Sequence, residues 1–313
     1  MIQEDILCLQ SVSHLKRLSR VFSFSTGLDM SSLQYIETQI KRLDENEKMV
    51  TIIIDEIHTI QRVEYQNGKL FGLNTKGQPT KTVLAVMIKS LRGKYKDVIS
   101  LTPVLNLNSS MINQVFQAVL PALMNLGLTP VAILADNHTS NRRFYTVELC
   151  KGTLQQSISI NSSLNQIKLF LLFDMTHNFK NIYNNFMKRK QFVCPKFGSI
   201  DIGMPKFEHI VQLYNLELGK PLKIAYKLYE KVLHPTDIEK TNVTLAENFF
   251  HESTIAGLKF YGNQGHIEFL QTVPFLELIR KMLNITNCKS KFVGQRKRND
   301  FRKPIITSDD EKD

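Results

Sequence analysis

Two apolar runs that each end in an aspartate set the tightest limit on what this chain can fold into. "MVTIIIDEIH" rises in β-branched content up to Asp55, and "LTPVAILAD" stays apolar until Asp136. Runs with so little polar alternation suit strands inside a sheet covered by helices. An ionised carboxylate at such a position is strongly disfavoured unless a cation or hydrogen bonds compensate it. A turn-forming or ion-paired aspartate meets that need as well as a metal does, and both readings stand for Asp55 alone. A second aspartate closing the next parallel strand favours a shared site. In two-metal sites such carboxylates hold divalent ions about 3.5 to 4 Å apart and serve phosphoryl transfer. Strand alternation turns Glu56 to the opposite side, where it reads as a solvent-facing charge.

The surrounding pattern supports an α/β fold. "MSSLQYIETQIKRL" has helical spacing, with Ser31 or Ser32 as a cap and Leu33, Ile36, Ile40 and Leu43 on one stripe. "RVEYQNGKLFGL" carries Asn67-Gly68 between two extended runs, a hairpin signal. "KTVLAVMIKSL" and "DVISLTPVLNL" continue a meander. "SSMINQVFQAVLPALMNLG" follows as a helix opened by serine and closed by Gly127, with Pro121 marking a kink or break. "SNRRFYTVELCKG" is the next helix, "IKLFLLFD" a further buried strand ending in Asp174, and "NFKNIYNNFMKRK" a basic helix. Three antiparallel strands followed by alternating helices and parallel strands form an RNase H-like mixed sheet. Beyond Pro195, "IVQLYNLELG", "PLKIAYKLYEKVLH", "EKTNVTLAENFF" and "TVPFLELIRKML" carry helical stripes. The predicted organisation is a helical lead-in over 1–48, a core over 49–194, a mostly α-helical domain over 195–290, and a basic then acidic, disordered tail over 291–313.

Composition narrows the partners. The 313 residues carry 40 Lys and Arg against 29 Asp and Glu, a formal charge of +11, which favours polyanions such as nucleic acid. The cysteines at 8, 150, 194 and 288 include no CxxC pair, so neither a zinc ribbon nor a dense disulfide framework is encoded. No signal-like N-terminus and no membrane-length apolar run is present, so the expectation is a soluble, intracellular protein without a membrane partner.

Four blocks resemble the transposases of the P-element type and their domesticated relatives that carry a THAP zinc finger. They are "FSTGLDMSSLQYIETQIKRLDENEKMVTIIIDEIH", "LGLTPVAILADNHTSNRRFYTVEL", "FDMTHNFKNIYNNF" and "HPTDIEKTNVTLAENFFHESTIAGLKFYG". Their order and spacing extend the resemblance from about residue 20 to 290. It implies that Asp55 and Asp136 are the first two catalytic, metal-binding aspartates, using Mg²⁺ or Mn²⁺. It also implies that "DMTHNFKNIYNN" is the D-x-x-H-x-x-K-x-x-x-N signature, putting Asp174, His177, Lys180, Asn181 and Asn184 at the junction with a helical insertion. In the P-element enzyme that insertion binds GTP, so the implied partners are DNA, guanine nucleotide and further copies of the chain, in the nucleus.

Three departures accompany the match. The family's zinc-coordinating DNA-binding finger has no Cys/His cluster to build it in this sequence. Nothing after Asn287 resembles the segment bearing the third catalytic acid, so the metal site is short of a ligand and catalysis is left open. There is no Walker A sequence and no Asn-Lys-x-Asp guanine reader, so nucleotide binding stands on resemblance alone. The alternatives are a non-catalytic nucleic-acid or protein interaction module and a guanine nucleotide-binding module. His177, Lys180 and Asn184 on one helical face suit a phosphate or a structural role. The Lys188-Arg189-Lys190 run and the Lys289 to Lys303 cluster suit DNA phosphates, nuclear import or solvated surface. Phe186, Phe192 and Phe197 are expected in the core.

Overall fold

A computed structural model describes residues 26–66, 68–74, 76–161, 166–196 and 201–286, together with 294 and 296. The chain forms two compact units that divide between Asp174 and Met175. The expected boundary near residue 194 thus moves back, because the helix of 175–189 packs its aromatic residues into the helical unit. The tail over 291–313, the Lys289 to Lys303 cluster, Phe197 and Asn67 lie outside the described residues, apart from the single residues 294 and 296.

The first unit is built on a seven-stranded sheet in the order β1-β6-β5-β2-β7-β9-β8. Its strands are β1 (Gly27–Leu28), β2 (Met49–His58), β5 (Thr82–Ser90), β6 (Lys96–Val104), β7 (Thr129–Ala135), β8 (Ser157–Asn161) and β9 (Gln166–Phe173). β2, β5 and β6 form the expected antiparallel meander, and β7 and β9 run parallel to β2. The hairpin is real but stands apart: β3 (Glu64–Gln66) and β4 (Lys69–Phe71) make a separate two-stranded sheet. Gly72, at φ +87, closes it where a Cβ would lie 2.0 Å from the Arg62 carbonyl oxygen, so only glycine fits.

Three helices cover one face of the sheet: α1 (Met30–Ile40), α2 (Ser109–Asn125) and α3 (Thr139–Arg143), the last continued by a π segment over Phe144–Leu149. Ile36 of α1, Val119 of α2 and Phe144 of the π segment are fully buried against Ile52, Leu84 and Ile133 of the strands. The lead-in is therefore part of this unit, with α1 in its core and β1 paired to β6, while residues 1–25 are outside the described set. Asp29 and Asn108, not the serines, occupy the N-cap positions of α1 and α2, and the Asn108 side chain accepts the Met111 N–H at 3.0 Å. Helix α2 runs through Pro121 without a break and ends at Gly127, φ +80. Burial on both faces is not met among the described residues. Even-numbered residues of β2 enter the core while Phe170 and Leu172 on β9 remain 42% and 46% exposed.

The second unit packs helices α4 (Met175–Arg189), α5 (Phe207–Glu217), α6 (Glu230–Leu233), α7 (Val243–Phe249), α8 (Glu252–Asn263) and α9 (Val273–Thr286) around aromatic side chains. Phe186 meets Phe192, Phe207, Phe249 and Phe275 at ring separations of 5.0 to 6.1 Å, which places Phe186 in the core as expected, while Phe192 is partly buried against it. Tyr183 sends its hydroxyl to the Val232 carbonyl at 2.6 Å. One predicted helix fails: within "PLKIAYKLYEKVLH" only Glu230–Leu233 is helical, and 221–229 form turns and loop. The buried Glu217 carboxylate captures the Ile224 and Ala225 N–H groups, each at 3.0 Å, and holds the backbone out of a helix there.

Candidate active site

β2, β7 and β9 lie side by side, and Ile54, Ala135 and Phe173 share the last rung across them. The next residue along each strand is Asp55, Asp136 and Asp174 respectively. Parallel neighbours stand roughly 4.8 Å apart, so three aspartates follow one another at a single level on the carboxyl end of the sheet. Such ends are where open α/β sheets hold ligands. The Asp174 N–H donates to the Ala135 carbonyl at 2.8 Å and keeps β9 in line to that level.

The aspartates are held differently. Asp55 is exposed, with Oδ1 accepting the Glu56 N–H at 2.8 Å. Asp136 is half-buried, and its Oδ1 accepts the His138 N–H at 2.9 Å and the Asn141 Nδ2–H at 2.7 Å. Asn141, 2% exposed, sits in the first turn of α3, and its Oδ1 is buried without a hydrogen-bond partner. One turn on, the Tyr145 hydroxyl points at the Ile133 and Leu172 carbonyls, at 3.2 and 3.0 Å, tying the helix to β7 and β9. Burial, then the Asp136 charge, raises the Tyr145 phenol above its ordinary range, so it stays a donor. Here α3 widens into a π turn over Phe144–Leu149, with the Cys150 N–H on the Tyr145 carbonyl at 2.9 Å.

Glu56 corrects its expected role. It faces away from Asp55, but its side chain is only 20% exposed, and its Oε1 is buried without a hydrogen bond, 3.9 Å from His138 Nδ1. Burial pushes its carboxyl up from the ordinary range. His138 opposes that rise, Asp136 adds to it, His58 opposes it and Asp55 adds to it. The Glu56 carboxylate thus belongs to the electrostatic surroundings of both aspartates. The strand period located its side, not its enclosure. Asn141 also went unsingled in the sequence, although an Asp and an Asn five apart across a strand-to-helix turn is a readable spacing.

Of the remaining signature residues, Asp174 closes the first unit, while His177, Lys180, Asn181 and Asn184 lie on α4 of the second. Asn184 donates Nδ2–H to the Lys240 carbonyl at 3.2 Å, and its Oδ1 is buried without a partner. It borders a cavity of about 520 Å³ also lined by Lys188, His234 and Lys240. Among the described residues no three His, Cys, Asp or Glu side chains converge closely enough to hold a metal. The oxygen donors of Asp55 and Asp136 nevertheless suit Mg²⁺ or Mn²⁺, which commonly use one or two protein carboxylates and complete their shell with water and substrate phosphate.

The geometry defines a class: an RNase H-like sheet with aspartates at one level of three neighbouring strands, joined to a helical unit. Two family models match, the TNP-like RNase H N-terminal domain over residues 24–147 and the TNP-like GTP-binding insertion domain over 176–299. The chain belongs to the TNP-like family that these two domains describe. The Drosophila P element transposase strand transfer complex has a similar fold, at a TM-score of 0.70 and 18% identity over 90% of this chain. The chain spans 59% of that transposase chain. The Mos1 strand transfer complex, at 15% identity, 45% coverage of this chain, 48% of its own and a TM-score of 0.19, is too distant in shape to inform the fold. No curated protein matches the sequence. Among the described residues, no helix is long and apolar enough to cross a membrane.

Proposed function

We propose that the sheet unit is the first portion of a DNA strand-cleaving and strand-joining core, with Asp55 and Asp136 as its carboxylate metal ligands. The observation carrying this reading is that both residues follow the same rung of two adjacent parallel strands. A bound Mg²⁺ would activate the attacking oxygen and stabilise the leaving one. The chain's own part is positional. Asn141 and the His138 amide fix one oxygen of Asp136, leaving the other to face substrate, and Asp55 stands exposed beside it. Among the described residues, Asp55 and Asp136 are the two carboxylates proposed to bind metal. DNA is the proposed partner and the nucleus the proposed location.

A cleavage assay on DNA with Mg²⁺ or Mn²⁺ tests this directly. Asp55→Ala and Asp136→Ala are each expected to abolish whatever cleavage the chain shows, and cleavage that survives Asp55→Ala refutes the site. DNA binding with a steep salt dependence, no metal requirement and no cleavage would instead support a non-catalytic nucleic-acid module.

A second reading concerns the helical unit. The Asn184 cavity is lined by Lys188 and Lys240, residue types that suit a nucleotide polyphosphate, although the Lys240 ammonium also reaches Asp237 at 2.7 Å. Calorimetry with GTP and Mg²⁺ should register binding that Lys188→Gln weakens; absence of heat dismisses it.

A further inference from the structure

The loop that fails to become a helix presents a surface of its own. Residues 218–231, "LGKPLKIAYKLYEK", hold four lysines and a single glutamate. From below, Glu217 clamps the Ile224 and Ala225 amides, and Ala225 and Leu228 are buried. The loop is therefore anchored, and its charged residues are carried outward on a fixed frame. Lys220 lies 4.9 Å over the Tyr261 ring, with its ammonium 3.0 Å from the Tyr261 hydroxyl. Lys223 lies 5.8 Å over Tyr214 and Lys227 5.7 Å over Tyr226. None of these three lysines pairs with a carboxylate among the described residues, whereas Lys231 pairs with Glu239 at 3.2 Å.

Stacking on tyrosine limits where each ammonium can go without neutralising it. Three positive charges are thus held in one region, beside a Tyr226 ring that is 62% exposed. That ring meets His251 edge-on at 5.6 Å, which steadies it. Burial, then Arg280, pulls the His251 imidazole below its ordinary range, with Glu252 opposing the fall and Lys227 adding to it. Fixed cations interleaved with an exposed aromatic face match the chemistry of an unpaired nucleic-acid strand: phosphates for the lysines and a base for the ring. An acidic peptide would answer the charges but leave Tyr226 without a role.

We propose that Lys220, Lys223, Lys227 and Tyr226 form a binding surface for single-stranded nucleic acid on the helical unit. This rests on nucleic acid being the partner, and not on the carboxylates of the sheet. The test is fluorescence anisotropy of the full chain with a labelled thymidine oligonucleotide and with a duplex of equal length, in EDTA, across a salt series. Replacing all three lysines by Gln should shrink the salt slope for the single strand by about two. Tyr226→Ala should weaken single-strand binding roughly five- to a hundredfold and leave duplex binding as it was. The triple Arg variant should bind like the parent, which separates lost charge from lost folding.

An unchanged salt slope in the Gln variant, unchanged single-strand affinity in Tyr226→Ala, or equal loss in the Gln and Arg variants overturns the proposal. So does displacement by oligoglutamate as effective, charge for charge, as by oligonucleotide. If the loop variants bind normally while cleavage still depends on Asp55, only the surface is refuted. If Asp55→Ala cleaves while the loop variants fail to bind, only the metal site is.

Discussion

Glu217 in the helical unit and Glu56 in the sheet unit are both drawn out of solvent, and their surroundings differ in kind. Glu217, 2% exposed, accepts two backbone N–H groups, one on each carboxylate oxygen, at 3.0 Å. Glu56 keeps Oε1 buried without a hydrogen bond, and its like-charged neighbours are Asp136 and Asp55. A satisfied buried carboxylate organises the chain around it. An unsatisfied one among other acids lowers stability, and such groups persist where a site needs them. The helical unit uses its buried acid for architecture, and the sheet unit gathers acids at the site proposed above for chemistry.

The sharpest way to break this contrast is at Glu217. Charge-assisted hydrogen bonds contribute roughly 1.5 to 3 kcal/mol each, so Glu217→Ala should cost about 3 kcal/mol or more and lower the urea midpoint of the helical unit. Glu217→Gln, which keeps one acceptor, should fall between. No change in Glu217→Ala would end the comparison.

Glu56 should move the other way. Glu56→Gln removes a buried charge that lacks a hydrogen bond, and should raise stability by about 1 kcal/mol in the same unfolding measurement. A fall would mean that His138, 3.9 Å away, stabilises the carboxylate by more than its burial costs.

The smallest effect belongs to His209, whose Nδ1 lies 2.9 Å from Thr272 Oγ1. Burial first, then Lys206, lowers its imidazole below the ordinary range, while Glu268 and Glu208 oppose the fall. A depressed folded value gives stability that is present above the unfolded value, near 6.5, and is lost as pH falls through the folded one. Thermal midpoints taken at about pH 7 and pH 5 should therefore drop, and the drop should be smaller in His209→Asn. An equal drop in both proteins would assign the pH response elsewhere.

Much of the sheet is legible because its central strands are apolar runs that lead into acids, Asp55 within β2 and Asp136 and Asp174 just past β7 and β9. Their common level is not, because register between strands depends on pairing that no periodicity encodes. β8, "SISIN", does alternate and packs Ile158 and Ile160 against the core, but five residues with two apolar positions are too short a run to stand out. The stripe in 221–229 misled because the deciding group, Glu217, captures its amides from outside that stretch. Glu56 shows the same limit: alternation assigns a face, and what covers that face comes from elsewhere in the chain.

The wide turn at Phe144–Leu149 carries a final implication. A regular helix advances about 100° per residue, so one residue fewer in that turn would rotate everything beyond it by that angle. Phe144 and Tyr145 would keep their seats under the sheet, but Glu148 would swing away from the Ser109 hydroxyl it accepts at 3.2 Å. The irregular turn works as a phase adjuster, letting a single helix address the strands at its start and the head of α2 at its end.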